Sequence, residues 1–402
     1  MLNPIASAAK KRLGEGRDLL ELHSPSYDFS YAFFPKKILE ECFASFASDP
    51  RYRPDPRGDR AAREAIARYY LEAFDFRIDP EKLFLTSGTS ESYAWIFRLL
   101  SESGDAQRNR FLAPEPSYPL FEHIASHARV TLDPFPVPVS RNETWDLRET
   151  ECQIRPETKG LLLVSPHNPT GKILTQPELS SLEKIASDKK IALIHDEVFS
   201  EWVWNESLSG KSFPRLGRMP RVDHPAPLHF SLNGVSKMLG LPWLKLSWIY
   251  VGGSNVGHLE KITDELELTA DTFLSANGFA QKSLPHLLDK RQLFIEPFRE
   301  TLRQNLDFCL EEIGKITCLS VEEPDGGVTL CLDVDGDWDE EALVLSLIEK
   351  GLYLFPGYYF DFPEDGRRRL ILSIQHPKEE LKKGLEILRD FFVSRVEVAA
   401  TK

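Results

Sequence analysis

Cysteine is scarce in this chain, with five in 402 residues: Cys42, Cys152, Cys309, Cys318 and Cys331. The number is odd, the spacing is wide and no Cys-x-x-Cys occurs, which argues against a disulfide framework or a thiolate zinc site. Free thiols in a reducing compartment are the expectation, and with them a cytoplasmic location. Long apolar runs are also missing. No window is long and apolar enough to span a membrane, and Met1–Gly16 lacks the continuous apolar stretch of a signal peptide. Two glycosylation-like triplets, starting at Asn142 and Asn205, are therefore read as chance. Positive charge is in deficit, 49 Lys and Arg against 62 Asp and Glu, for a net charge of −13. That balance excludes nonspecific binding of nucleic acid or an anionic membrane as the main business of the chain. It leaves a local anion site open. Neither an internal repeat nor a low-complexity tract is visible.

What remains is ordinary globular composition, 42% hydrophobic and 28% charged, with length enough for a large core and two or three domains. From about residue 60 to 255, short apolar runs alternate with amphipathic stretches. Strands are expected at Leu83–Leu85, Arg110–Ala113, Gly160–Val164, Ile191–Ile194, His229–Leu232 and Trp248–Val251. A helix carrying Ile96, Leu99 and Leu100 on one face follows the first, and another spans Pro177–Lys189. Strands that are apolar throughout are buried on both faces, so the expected core is a mostly parallel sheet between helical layers. After about residue 290 the pattern changes. A helix from Pro297 to Ile313 precedes strands at Val328–Leu332 and Leu370–Ile374, with helices at Glu340–Lys350 and Lys378–Phe392. The expected division is a large α/β domain over 46–290 and a smaller α+β domain over 291–402, with the N-terminal segment, 1–45, completing the smaller one.

Ligands of an open parallel sheet sit at the carboxyl ends of its strands, and the conspicuous polar clusters fall there. Asp196 ends one apolar strand. Lys237, in Ser236-Lys237, follows another about forty residues later, ahead of Gly240-Leu241-Pro242. A lysine beside a buried carboxylate suits Schiff-base chemistry on an aldehyde cofactor whose ring nitrogen the carboxylate keeps protonated, and pyridoxal 5′-phosphate (PLP) is the candidate. Gly88-Thr89-Ser90 opens a helix and offers N–H groups and hydroxyls to a phosphate, although Ser and Thr are also ordinary N-caps. Tyr118 is placed to stack on a pyridine ring or simply to pack. Asn168 has an amide for a phenolic oxygen but sits in an Asn-Pro-Thr-Gly turn. Lys245 offers a point charge to phosphate, or is a solvated lysine. His195-Asp196-Glu197 is a poor metal motif, because neighbouring strand residues point to opposite faces.

Taken in order, the motifs Thr86-Ser87-Gly88-Thr89-Ser90-Glu91, Pro116-Ser117-Tyr118, Ser165-Pro166-His167-Asn168-Pro169-Thr170-Gly171, His195-Asp196-Glu197-Val198 and Ser236-Lys237 resemble the class I/II aminotransferases, the fold-type I PLP enzymes. Gly326-Gly327 and Pro356-Gly357 also match. The resemblance implies a three-layer α/β/α large domain, a small domain built from both termini, and a homodimer with active sites at its interface. It implies that Lys237 bonds the cofactor aldehyde, Asp196 pairs with the ring nitrogen and Asn168 holds the phenolic oxygen. Tyr118 would stack on the ring, and Gly88, Thr89, Ser90, Ser236 and Lys245 would hold the phosphate. Tyr52, in Arg51-Tyr52-Arg53-Pro54, matches a tyrosine that reaches the neighbouring subunit's phosphate.

Four positions depart from the family pattern. Phe199 stands three residues after Asp196, where a tyrosine usually donates to the phenolic oxygen. Lys245 replaces an arginine, keeping charge but losing its two-pronged fork. Gly234 stands where a serine hydroxyl often helps with phosphate. Ile371, in Ile371-Leu372-Ser373-Ile374, takes the place of the arginine that binds the substrate's α-carboxylate. Arg367, Arg368 and Arg369 lie just upstream, and a solvated turn is the favoured reading for them over substitution for that arginine. The expected activity is transfer of an amino group from a small amino donor to a 2-oxo acid by a ping-pong route. A PLP-dependent lyase or decarboxylase is the alternative within enzymes, and a non-catalytic PLP-binding regulator the alternative outside them. Nucleic acid and membrane are not expected partners.

Overall fold

The computed structural model describes residues 3–26, 34–102, 109–218, 225–363 and 365–400, with the backbone alone for 395–400. After a short N-terminal strand, β1 (Leu20–Glu21), come the seven strands of the large sheet. They are β2 (Leu83–Thr86), β3 (Arg110–Glu115), β4 (Thr131–Pro136), β5 (Thr158–Val164), β6 (Ala192–Asp196), β7 (His229–Gly234) and β8 (Ser247–Gly252). Their order across the sheet is β2-β8-β7-β6-β5-β3-β4. From β4 to β7 all neighbours run parallel. Only β8 runs against both its neighbours, β7 and β2.

That reversal was not visible in the apolar pattern, which is alike in all the strands. Its cause is the β7–β8 connection. Residues 235–246 hold a one-turn helix (Val235–Met238) and a 3₁₀ turn (Pro242–Leu244), without the crossover helix that a parallel return needs. The consequence is functional. The first residues of β8, not its last, lie at the carboxyl edge of the sheet.

Side-chain alternation builds the layers. Leu162, Ile194, Phe230 and Ile249 face one core with Ile96 and Phe97 of the helix Thr89–Glu102 and Leu259 and Ile262 of the helix Val256–Phe273. Leu161, Leu163 and Leu193 face the other side, against Leu179 and Leu182 of the helix Gln176–Lys189. Each such side chain fully buried contributes roughly 1.5–3 kcal/mol. β6 and β7 are buried at every position, so their register is strongly specified and whatever follows their ends is precisely placed.

The second sheet contains β9 (Leu319–Val321), β10 (Thr329–Val334), β12 (Phe355–Pro356) and β13 (Arg368–Ser373), in the order β12-β13-β10-β9 and antiparallel throughout. A short strand, β11 (Leu352–Tyr353), pairs in parallel with β1, and the helix Pro4–Gly14 packs on the helix Glu340–Lys350. The helix Lys36–Ser48 instead packs on Gly278–Asp289, beside the large sheet. The long helix begins at Gln292, not at Pro297 as the proline suggested. Phe294, Ile295 and Phe298 are all buried, and their packing outweighs the one backbone bond that an internal proline removes.

The two sheets are pinned together by glycines. Gly326 N–H donates to the Gly171 carbonyl at 2.9 Å, and Gly327 N–H to the Trp202 carbonyl at 2.7 Å. A Cβ on Gly326 would lie 2.6 Å from the Trp202 carbonyl oxygen and 2.9 Å from Pro166. Only a residue without a side chain allows that approach.

Candidate active site

A cleft of about 530 Å³ opens where the carboxyl edge of the large sheet meets the small sheet. It collects the groups read from the sequence: Gly88, Thr89 and Ser90 after β2, Tyr118 after β3, Asn168 after β5, Asp196 at the end of β6, and Ser236 and Lys237 after β7. Lys245 joins them only because β8 is reversed. Tyr52 is the exception: it is 74% exposed and does not line this cleft.

Asp196 is buried, and burial raises its pKa to about 6 even though the Val198 N–H and the Tyr93 hydroxyl both donate to it. The Tyr93 bond is 2.9 Å and the Val198 bond 3.0 Å. A carboxylate held this way is short of a cation. Its neighbours on the strand point away from it, as β geometry requires. Glu197 lies on the far side in a buried ion pair with Arg215, with His195 Nδ1 at 3.2 Å. Burial pushes Glu197 up, but Arg215 and His195 together override it and leave its pKa below the usual range.

Burial lowers the pKa of Lys237 to about 8, which puts a useful share of free amine within reach of neutral pH. Its Nζ lies 5.9 Å from the centroid of the Phe199 ring, where a tyrosine would have presented a hydroxyl. The Asn168 Oδ1 is buried without a partner, and a half turn of the amide exchanges its oxygen and NH₂. At the other end, the hydroxyls of Thr89, Ser90 and Ser236 face the cleft without a hydrogen-bond partner among the described residues. The Lys245 Nζ lies 3.7 Å from where a Cβ on Gly88 would sit. An unpaired aspartate, an amine of lowered pKa, an open amide and a nest of hydroxyls beside a cation fit a phosphorylated pyridine aldehyde group by group.

Of the arginines upstream of Ile371, Arg367 is exposed just after a bend, as a solvated turn would have it, but Arg368 and Arg369 are strand residues, and none of the three lines the cleft. All three edge β13, whose first residues pair with Asp333 and Val334. Arg369 is 3% exposed, with its guanidinium on Asp365 and, at 3.0 Å, on Asp333. Arg367 also pairs with Asp333 at 3.0 Å, and Arg368 Nε donates to the Trp338 carbonyl at 2.7 Å. Two nearby carboxylates that the local reading overlooked hold the cluster. Ile371 itself is fully buried, with Phe355 and Cys331 as its cross-strand partners. Among the described residues no arginine lines the cleft.

Sequence reasoning missed three members of this site. Tyr93 lies four residues after Thr89 on the same helix face, a spacing that would have found it. Ser247 needed the strand direction. His23 carries no local signal: it enters from the N-terminal segment, with its ring centroid 4.0 Å from Tyr353 and 4.3 Å from Phe355. Burial, and then His376, lower its pKa to about 4, so it is neutral at ordinary pH.

Comparison with known proteins bears on the fold and the family. An alanine aminotransferase from Pyrococcus furiosus superposes with a TM-score of 0.84 at 19% identity, over 97% of this chain and 96% of its own. A Thermus thermophilus aspartate aminotransferase gives 0.81 at 20% identity, over 96% and 95%. In sequence, the chain is 23% identical to a probable aspartate aminotransferase of Methanocaldococcus jannaschii, over 89% of this chain and 90% of that one. It is 24% identical to the glutamate-pyruvate aminotransferase AlaA of Escherichia coli K12, over 92% and 89%. The architecture is that of a fold-type I enzyme, an α/β protein with a mixed, mostly parallel central sheet. The profile of aminotransferase class I and II matches residues 28–388, and the chain belongs to that family of PLP-dependent transaminases.

Proposed function

We propose that this transaminase binds PLP in the cleft between its two sheets and uses Lys237 as the reacting amine. The donor is an amino acid or amine and the acceptor a 2-oxo acid. One observation carries the reading: Lys237, Asp196, Asn168 and the hydroxyl cluster, scattered over 150 residues of sequence, line one cleft. PLP, when bound, supplies an electrophilic aldehyde and a ring that draws electrons from the substrate's α-carbon.

The protein's own groups do the rest. Asp196 holds a proton on the ring nitrogen, and the Tyr93 hydroxyl and Val198 N–H keep its carboxylate aimed. The Asn168 amide donates to the phenolic oxygen. Tyr118, 40% exposed and edge-on to Phe121 at 5.9 Å, offers its face to the ring. Lys245, Thr89, Ser90 and Ser236 take the phosphate. Lys237 Nζ would bond the cofactor aldehyde and, as a free amine, would serve as the general base at the substrate's Cα and hold the proton it takes there. Where the small sheet closes the cleft, Phe355, Phe360 and His23 exclude water.

Two further elements belong to the same proposal. The chain divides at 1–45, 46–290 and 291–402, and it works as a cytoplasmic homodimer in which exposed Tyr52 reaches the partner's phosphate. Adding amino donors one at a time to the PLP-loaded protein tests the function. Loss of the cofactor's visible absorbance with release of a keto acid, and its return on adding a 2-oxo acid, is the expected result. Ammonia released continuously without an acceptor would mean elimination instead.

A further inference from the structure

We propose that Ser247 is a phosphate ligand, supplying from β8 the hydroxyl that Gly234 on β7 lacks. The inference rests on the proposed PLP site and adds a residue to it. Gly234 and Ser247 face each other across the β7–β8 ladder. Gly234 has an extended backbone, φ −179° and ψ 166°, which any residue adopts, so its conformation does not demand glycine. Space does. A Cβ built on Gly234 would fall on the Ser247 hydroxyl, and it would lie 2.9 Å from the Ser247 Cβ and 3.0 Å from the Leu246 carbonyl oxygen. The hydroxyl therefore occupies the place where a side chain at 234 would begin. The two strands have exchanged it.

Ser247 is 2% exposed and lines the cleft. Its hydroxyl has no hydrogen-bond partner among the described residues. A cleft-lining hydroxyl without a protein partner can donate to a ligand oxygen, and this one lies against Gly234 across the ladder, with Lys245 two residues before it. The chemistry of the position also asks for a donor. Lys245 brings a single ammonium point charge and no fork, so a phosphate dianion there has lone pairs to spare for another donor.

The test uses the cofactor-free protein and its Ser247→Ala variant, with folding checked by circular dichroism. PLP, pyridoxal (which lacks the phosphate) and inorganic phosphate are titrated into each by calorimetry. The variant is expected to bind PLP and inorganic phosphate about tenfold more weakly and pyridoxal as tightly as the parent. Adding Gly234→Ser to Ser247→Gly is expected to restore PLP affinity to within about threefold of the parent, since it returns the hydroxyl from the other strand. That pair decides the matter if Ser247→Ala does not fold. Unchanged PLP and phosphate affinity in Ser247→Ala would overturn the proposal, as would an equal loss for pyridoxal or no recovery in the double variant. A folded parent that binds no PLP at all would instead sink the cofactor reading on which the proposal stands.

Discussion

The two ends of the cleft are built on different principles. The end under the large sheet is polar and charged: Asp196, Lys237, Lys245 and four hydroxyls without partners among the described residues line it. The end under the small sheet is apolar and neutral. Phe355 and Phe360 line it, Ile371 is buried behind Phe355, and His23 has lost its charge to burial. Under the proposed function, the first end would hold the anionic cofactor and the reacting amine. The second has Ile371 where the family resemblance places a carboxylate-binding arginine, and Arg369 upstream of it is paired with Asp365 and Asp333. On that proposal cofactor binding belongs to the large sheet, and the substrate would meet aromatic surface and a neutral imidazole.

The contrast can be broken most sharply at its polar end. Lys237→Ala is expected to lower turnover by about a thousandfold or more, measured with any active donor, while PLP still binds through its phosphate. Turnover near the parent rate would remove Lys237 from the mechanism. Asp196→Asn should lower turnover by roughly a hundredfold, and it carries a second signature in the cofactor-free protein. Folded Asp196 has a pKa of about 6, above the value in an unfolded chain. Between about pH 4 and 6 the folded state therefore holds a proton that the unfolded state has lost, and this group's contribution to stability falls as pH rises. The variant lacks that loss. Its stability relative to the parent should improve across that window by up to about 3 kcal/mol; a gap independent of pH would contradict the assignment.

At the apolar end, Arg369→Met should act on stability and not on substrate. It takes the buried guanidinium from Asp365 and Asp333, leaving them the exposed Arg367, and is expected to destabilise the fold by about 2 kcal/mol, read from urea denaturation, with the donor KM within twofold of the parent. A large rise in KM at unchanged stability would return Arg369 to the substrate site. The smallest effect is again a pH slope. Lys237 has a pKa lowered to about 8, so between about pH 8 and 10.5 the unfolded state holds a proton that the folded state has shed, and stability rises with pH from this group. Lys237→Met should be more stable than the cofactor-free parent at pH 7, by a margin that closes toward pH 10.5. A margin constant over that range would mean the amine is not desolvated.

The same contrast explains what the sequence could disclose. The polar end was legible because most of its groups follow strands with clear apolar runs, and because their motifs match a known family in order and spacing. Asp196 and Lys237 were readable for those reasons. Lys245 was recognised but its placement was not, since the reversal of β8 depends on a short connection and not on any residue's character. Ser247 was hidden by the same gap. The apolar end was nearly mute. Ile371 showed that the arginine is absent, but His23, Phe355 and Phe360 come from the N-terminal segment, a two-residue strand and a 3₁₀ turn, all too short for periodicity to mark an inward-facing side chain. Arg369 was misjudged because Asp333, its partner, lies on the neighbouring strand and pairs with it only in three dimensions.

One proposed covalent bond, between Lys237 and the cofactor aldehyde, underlies all of this, and it can be tested by trapping. The PLP-loaded protein is reduced with borohydride, digested, and its peptides are weighed. A phosphopyridoxyl mass on the peptide containing Lys237, and on no other, is the expected result. The mark on a different lysine, or on none in protein that has turned yellow with cofactor, would contradict the assignment at its root.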